Sequence, residues 1–240
     1  MIELFQLPPF WGLPNASPAS MKLETWLRIA EIPYETKPPD MAQAPKGKVP
    51  YIRHEGALIG DSTLIIEHLT KAYGKDPDQK LTPAERATSL AFRRMLKESF
   101  YWVIVYSRWS DEGNWPEYKE AFRGVLPPGL PEPVYEQIIT QSRAGMLEQL
   151  RGHGMGRHSP DEIRSFGKAE IGAVADFLGD KPFFFGEAPT TADATVYAYV
   201  ANLLESPLRE PVKDYGLRRE NLVAYTRRMR ERFFPEKDRT

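Results

Sequence analysis

Short runs of apolar and polar positions divide the first part of the chain into strands and helices. Four segments are short and apolar, or alternate with a period of two, as strands do. They cover residues 2–7, 34–37, 50–53 and 57–60. The last two are separated only by His54-Glu55-Gly56, which predicts a hairpin.

Two helices are predicted among these strands. Ser17 followed by Pro18 is typical of a helix start, and apolar positions then recur at helical spacing from Met21 to Ala30. A second amphipathic helix is expected over residues 62–73. Its inward positions are expected to be Leu64, Ile65, Ile66 and Leu69. The order of these elements predicts an α/β sheet with helices packed on it.

Beyond a polar segment at residues 74–83, the apolar spacing becomes helical throughout. Helices are expected over residues 85–109, 115–122, 134–150, 160–178, 190–204 and 221–233. Thr190 and Asp193 have capping-box spacing, which we interpret as structural. We therefore predict two domains, an α/β domain at residues 1–76 and an all-α domain at residues 84–240.

Composition excludes several classes of partner. The 240 residues carry a net charge of −1, so no basic field exists to attract nucleic acid. No apolar segment reaches the roughly 18 residues of a membrane span, and the N-terminus resembles a strand, not a signal peptide. We expect neither a nucleic acid nor a membrane as partner.

Cysteine is absent, which removes disulfides, thiolate metal sites and a cysteine nucleophile. The composition fits a reducing cytosol, so a cytoplasmic location is expected. The four histidines have no metal-ligand spacing, and no metal is expected.

One stretch combines groups that suit a small zwitterionic peptide. It begins Lys46-Gly47-Lys48-Val49-Pro50 and continues into a short strand, and Asp61-Ser62 opens the next helix. Backbone amides, a lysine, a carboxylate and a helix N-terminus can together hold both charges of such a ligand.

These motifs resemble the glutathione transferase superfamily, and most closely its branch of failed-axon-connections and metaxin proteins. The resemblance rests on Pro45 to Ile52, on Asp61-Ser62 and on the C-terminal residues Asn221-Leu222, Tyr225, Arg228 and Phe233-Phe234-Pro235-Glu236. It implies the glutathione transferase fold, in which a thioredoxin-like α/β N-terminal domain precedes an all-α C-terminal domain.

The resemblance also implies roles at the glutathione site. A cis proline at Pro50 would present the backbone of Val49 to the cysteinyl part of glutathione. Asp61 would bind the γ-glutamyl ammonium and Ser62 the γ-glutamyl carboxylate. Lys48 would meet the glycyl carboxylate, with Lys46 as the competing lysine.

Ser17 is the candidate catalytic residue, because the family places its activating residue after the first strand. Its hydroxyl could donate to the glutathione sulfur and favour the thiolate. Many relatives have Ser-Pro-Phe-Cys, whereas this chain has Ser17-Pro18-Ala19-Ser20. Asn15 and Ser20 remain alternatives to Ser17.

Two hypotheses about function follow. The first is an enzyme that uses glutathione as co-substrate and conjugates it to a small hydrophobic electrophile. Thiol–disulfide exchange by an enzyme cysteine is excluded. The second is a non-catalytic glutathione-binding or scaffold protein of the metaxin type, whose relatives act in protein import and sorting. A homodimer is the usual state in the superfamily and is expected here.

Overall fold

A four-stranded mixed sheet forms the N-terminal part of the protein. The strands are β1 (Ile2–Phe5), β2 (Tyr34–Lys37), β3 (Tyr51–His54) and β4 (Ala57–Gly60). Their order is β2-β1-β3-β4, with β1 parallel to β2 and antiparallel to β3, and with β3 antiparallel to β4. The computed structural model describes residues 1–235, so Glu236 and the predicted end of the second domain at residue 240 lie outside the described residues.

Two helices pack on this sheet. Helix α1 (Pro18–Ile29) supplies the crossover that the parallel β1–β2 pair requires. Helix α2 (Ser62–Tyr73) follows β4 directly, and its buried positions Ser62, Ile65, Ile66 and Leu69 lie on one face. The prediction that Leu64 points inward is wrong, because it falls outside this spacing and is 46% exposed.

A long helix opens the C-terminal domain and is interrupted twice. It runs through α3 (Pro83–Arg94), a π-helical turn (Met95–Phe100), α4 (Tyr101–Val105) and a second π-helical turn (Tyr106–Ser110). Thr82 and Glu85 form a capping box at its start. The uninterrupted apolar spacing predicted one regular helix here and gave no sign of the π turns.

The remaining helices complete the domain. They are α5 (Trp115–Gly124), α6 (Glu132–His153), α7 (Pro160–Leu178), α8 (Thr191–Leu204), α9 (Pro211–Leu217) and α10 (Glu220–Phe233), and short 3₁₀ turns lie at Pro45–Gly47 and Met155–Arg157. Helix α9 has only seven residues and was not predicted. Every residue of α8 is buried, which places this helix at the centre of the core.

The two parts of the protein are joined through α1 and α8. The indole of Trp26 donates to the hydroxyl of Thr191 at 3.3 Å, and both side chains are buried. The predicted capping box at Thr190 and Asp193 is confirmed at the start of α8. Because α1 and α8 pack directly together, the cleft above them has walls from both parts of the chain.

Candidate functional site

A cavity of about 270 Å³ lies between the sheet and the long helix. This volume is near the lower end of the range for small-molecule sites. From the N-terminal part it is lined by Ser17, Ala19, Pro45, Lys46, Lys48, Val49, Pro50, Asp61 and Ser62, and from the helical domain by Lys97, Glu98, Tyr101, Trp102 and Tyr199. Ser17 and the residues expected to bind glutathione therefore border the same cavity, whereas the alternatives Asn15 and Ser20 do not.

The wall before β3 is a tight loop. Its Val49–Pro50 peptide bond is cis, and the 3₁₀ turn at Pro45–Gly47 precedes it. A Cβ on Gly60 would lie only 2.8 Å from the carbonyl oxygen of Pro45. Glycine at position 60 therefore allows β4 to pass directly beneath this wall, a requirement that the sequence analysis missed.

Asp61 caps helix α2 and also forms an ion pair. Its Oδ1 accepts the amides of Thr63 at 2.8 Å and Leu64 at 3.4 Å, and its Oδ2 lies 3.2 Å from the ammonium of Lys97. Partial burial pushes the pKa of Asp61 upward, but these amides and the lysine outweigh it and hold the pKa below its ordinary value. The carboxylate is therefore ionised at neutral pH.

Lys97 is the main functional candidate that sequence reasoning missed. It lies in the first π-helical turn, 36 residues after Asp61, and borders the cavity. A lysine within a predicted amphipathic helix gives no sign of such a partner. Only the folded chain, in which the long helix packs on α8, brings Lys97 to the start of α2.

Ser17 occupies the N-cap of α1. Its Oγ accepts the amide of Ser20 at 3.4 Å, and its own amide donates to Oδ1 of Asn15 at 2.9 Å. Asn15 and Ser20, the two alternatives, are buried and do not line the cavity. Of the three candidates, Ser17 alone can therefore present its side chain to a ligand there.

A buried polar network fixes the loop that carries Ser17. Arg108 donates to the carbonyl of Ala16 at 2.5 Å and to Oδ1 of Asn202 at 2.8 Å. The amide of Asn202 donates in turn to the carbonyl of Asn15 at 3.1 Å. Burial lowers the pKa of the Arg108 guanidinium. The helical domain thus holds the backbone on the N-terminal side of Ser17.

The two lysines of the loop differ in their contacts. Lys48 donates to Oε1 of Gln149 on α6 at 3.2 Å. Lys46 has a positive φ of 64°, so its backbone forms part of the tight turn. Both lysines line the cavity, and the geometry leaves either able to approach a carboxylate there.

The opposite wall is aromatic. Tyr101 and Trp102 lie on α4, and Trp102 stacks on His153 with ring centroids 4.7 Å apart. Burial raises the pKa of Tyr101 and of Tyr199, so both hydroxyls stay protonated at neutral pH. Trp11 does not line the cavity and instead packs against Phe10 and Tyr118.

Two absences apply to the part of the chain described. Among residues 1–235, no helix is long and apolar enough to cross a bilayer. Within the same residues, no group of three or more histidine and carboxylate side chains is placed to hold a metal ion.

Comparison with known proteins supports this architecture. A model of the glutathione S-transferase N-terminal domain matches residues 18–114, and a model of the glutathione S-transferase C-terminal domain matches residues 167–229. The isoprene-epoxide–glutathione S-transferase of Rhodococcus sp. (strain AD45) is 33% identical over 97% of this chain and 99% of that protein. The chain belongs to the glutathione S-transferase superfamily.

Within that superfamily the chain also resembles the branch that contains Failed axon connections and the metaxins. Failed axon connections of Drosophila melanogaster is 34% identical over 99% of this chain, and human metaxin-1 is 30% identical over 98%. The chain spans 59% of the length of the fly protein and 51% of the human one.

Solved structures confirm the fold. Beta-etherase LigF from Sphingobium sp. strain SYK-6 matches with a TM-score of 0.67 and 18% identity, over 99% of this chain and 98% of that one. A glutathione S-transferase from Methylobacterium radiotolerans, solved in complex with glutathione sulfonate, matches with a TM-score of 0.62 and 15% identity, over 99% and 93%. The predicted fold class is therefore confirmed.

Proposed function

We propose that the protein binds glutathione in the 270 Å³ cavity and conjugates it to a small hydrophobic electrophile. The observation that carries this proposal is the meeting of Ser17, the Val49–Pro50 loop and the start of α2 on one side of a single cavity, with an aromatic wall opposite. The name of the Rhodococcus relative suggests an epoxide as the class of electrophile.

The γ-glutamyl end of glutathione fits the start of α2. This group carries an ammonium and a carboxylate, and the cavity offers Asp61 and Lys97 side by side. In this proposal Asp61 receives the ammonium, while Lys97 and the N-terminus of α2 at Ser62 receive the carboxylate.

The rest of the peptide would extend along the loop before β3. The backbone of Val49 would pair with the cysteinyl residue in the manner of an added strand. Lys48 would meet the glycyl carboxylate, exchanging its contact with Gln149, and Lys46 remains the alternative. Pro50 shapes this wall of the cavity.

Ser17 would then act on the sulfur. Its Oγ accepts the Ser20 amide, which leaves the hydroxyl proton free to be donated to the thiolate. With an epoxide, the thiolate would form a carbon–sulfur bond as the carbon–oxygen bond breaks. The thiol proton is released to solvent, and the resulting alkoxide takes up a proton from water.

The proposal also includes a cytoplasmic homodimer and a boundary between the domains at residues 76–84. These features are carried over from the sequence and from the usual state of the superfamily.

A second candidate is a protein that binds glutathione, or serves as a scaffold, without turnover. The similarity to Failed axon connections and metaxin-1 favours it. So does the departure of Ser17-Pro18-Ala19-Ser20 from the pattern of many relatives.

Calorimetric titration with glutathione, followed by a conjugation assay with an aryl halide and a small epoxide, separates the candidates. No binding at millimolar glutathione would overturn the proposed enzyme. Binding without turnover of either electrophile would favour the second candidate. Turnover of the epoxide would support the proposal directly.

Ser17→Ala tests the catalytic role within the first candidate. We expect turnover to fall by up to about 10²–10⁴-fold, the range for a lost proton donor or acceptor. Ser159→Ala is a matched control, because Ser159 caps α7 and is also followed by proline. If Ser17→Ala loses turnover only as far as it loses stability, as expected of Ser159→Ala, then Ser17 acts as a helix cap alone.

A further inference from the structure

A second, smaller cavity lies beside the first, where α1, α2, α3 and α8 meet. Its volume is about 60 Å³, which is room for a few waters or one small oxyanion. Its charged lining residues are Lys22, Glu67, Arg93, Arg94 and Lys97. Four cations thus surround a small space with one carboxylate.

Two of the four cations already have partners. Lys97 pairs with Asp61 at 3.2 Å, and Arg94 pairs with Glu98 at 2.9 Å. Among the residues that the structure describes, Lys22 and Arg93 have no carboxylate within ion-pair distance. These two side chains therefore line the cavity without a carboxylate in contact with them.

Lys22 is the deeper of the two. It is only 5% exposed, and its ammonium donates to Oγ1 of Thr63 at 3.2 Å. An ammonium has three N–H donors, and burying a charge without partners is costly. Desolvation, together with the positive charges of Lys97, Arg93 and Arg94, lowers the pKa of Lys22 to about 7, against a smaller opposing effect of Asp61.

Arg93, on α3, also lines the cavity with a polar group that lacks a partner. Its Nε is buried and has no hydrogen-bond partner. Burial is the largest influence on its pKa, which is lowered, and Asp78 and Glu67 oppose that shift from a distance. Buried N–H groups in folded proteins usually have an acceptor, so this Nε–H is a donor that an anion in the cavity could satisfy.

The geometry points to a binding site for a small oxyanion, of the size and charge of sulfate or phosphate, held by Lys22 and Arg93 between the two domains. Lys97 and Arg94 add to the positive field. Thr63 and Thr191 also line the cavity, and their hydroxyls accept hydrogen bonds from Lys22 and Trp26, which leaves their own protons to donate. The site is separate from the glutathione cavity but shares Lys97 with it. This inference does not depend on catalysis.

Binding of an anion at this site would be accompanied by protonation of Lys22. A bound dianion favours the charged form of Lys22 and raises its pKa. At about pH 8 the lysine of the empty site is mostly neutral, since its pKa is about 7. Sulfate, which does not titrate in this range, should therefore bring about one proton with it.

Calorimetric titration of the protein with sulfate, without glutathione, tests the proposal. The titration is run near pH 8 in two buffers of different ionisation enthalpy and at constant ionic strength. We expect saturable binding with uptake of about one proton per sulfate, and a rise in Tm as the site fills. Absence of saturable binding would overturn the proposal.

Lys22→Met and Arg93→Gln locate the site. Each should weaken sulfate at least about tenfold, and Lys22→Met should also abolish the proton uptake. Lys71→Met, on the exposed side of α2, is the matched control and should behave as the parent protein. Equal sulfate affinity in parent and both cavity variants would place the anion elsewhere and overturn the assignment.

Phosphate, run as a second probe, should compete with sulfate for the same site. Circular dichroism establishes that each variant is folded. If one variant fails to fold, the other still carries the test, because Lys22 and Arg93 come from different helices.

Discussion

Asp61 and Asp193 both accept amide hydrogens at the start of a helix, but their surroundings are opposite. Asp193 is fully buried and accepts the amides of Phe184 at 2.7 Å and Thr190 at 2.8 Å, together with the hydroxyls of Thr190 and Tyr225. Asp61 borders the larger cavity and shares its carboxylate between its cap and the ammonium of Lys97.

The pKa values of the two carboxyl groups are consequently shifted in opposite directions. Burial raises the pKa of Asp193, and the surrounding neutral donors oppose that rise only in part. At Asp61 the amides and the lysine outweigh burial and lower the pKa. Asp193, the third helical residue of α8, uses both oxygens in buried hydrogen bonds within the fold, whereas Asp61, the N-cap of α2, has one oxygen in an ion pair at the cavity.

Asp193→Asn should have the largest effect on stability. The amide group cannot accept at both positions, so buried donors from Phe184 or Thr190 lose their partner. We expect a loss of about 3 kcal/mol or more in the free energy of unfolding, measured by urea denaturation.

The control for this change is Asp161→Asn, in the exposed first turn of α7. It should alter the free energy of unfolding by less than about 0.5 kcal/mol. Similar losses in the two variants would contradict a structural role for Asp193.

Asp61→Ala should lower stability less and ligand affinity more. Loss of the helix cap costs about 1 kcal/mol. Loss of the carboxylate should weaken glutathione about tenfold or more, because a charge-assisted contact is removed. Denaturation and calorimetric titration measure the two effects separately.

Asp61→Ser separates cap from charge, because serine can accept the same amides without a negative charge. It should retain most of the stability and still bind glutathione as weakly as Asp61→Ala. If Asp61→Ser binds as tightly as the parent protein, the carboxylate has no part in recognition.

The smallest expected effect is on the pH dependence of stability. Because the folded pKa of Asp61 is below its unfolded value of about 3.9, its contribution is present above that pH and is lost as the pH falls through the folded pKa. The difference in unfolding free energy between the parent and Asp61→Ser should therefore be constant near neutrality and shrink below about pH 4.

Lys97→Met tests how much of the lowered pKa of Asp61 comes from its ion pair. Without the lysine, the folded pKa of Asp61 should rise, and the pH window of the loss should move upward. The pH dependence expected from Asp193 is the opposite. Because its pKa is raised in the folded protein, its contribution to the free energy of unfolding is largest at low pH and declines as the pH rises through the folded pKa. If the difference in unfolding free energy between the parent and Asp61→Ser stays constant below about pH 4, the result would contradict the lowered pKa of Asp61 and its ion pair with Lys97.

Local signals explain why most of the fold could be predicted. Ser17-Pro18 marked the start of α1, and the strand at 57–60 agrees with its predicted bounds. The helix expected from residue 85 begins at Pro83, because Thr82 and Glu85 form a capping box that the prediction did not use. Helix α9 was missed because seven residues hold too little periodicity. Leu64 was misplaced because consecutive apolar residues do not define a helix face.

Some residues of the candidate site could be predicted from the sequence and others could not. Ser17, Val49, Pro50 and Asp61 stand in motifs, and the structure brings all four to one cavity. Lys97 and Lys22 stand in no motif. Their partners at Asp61 and Thr63 are 36 and 41 residues away along the chain, so only the packed helices define these contacts.

The π-helical turn at Met95–Phe100 sets the rotational phase of everything that follows it on the long helix. A π turn takes one residue more per turn than an α-helix does, and the extra residue rotates later side chains by about 100°. Winding the same residues as a regular α-helix would rotate Tyr101 and Trp102 away from the cavity, whereas deleting one residue from the turn would leave them facing it. The direction in which this part of the cavity wall faces is therefore set by the backbone at residues 95–100, before the aromatic side chains that form the wall.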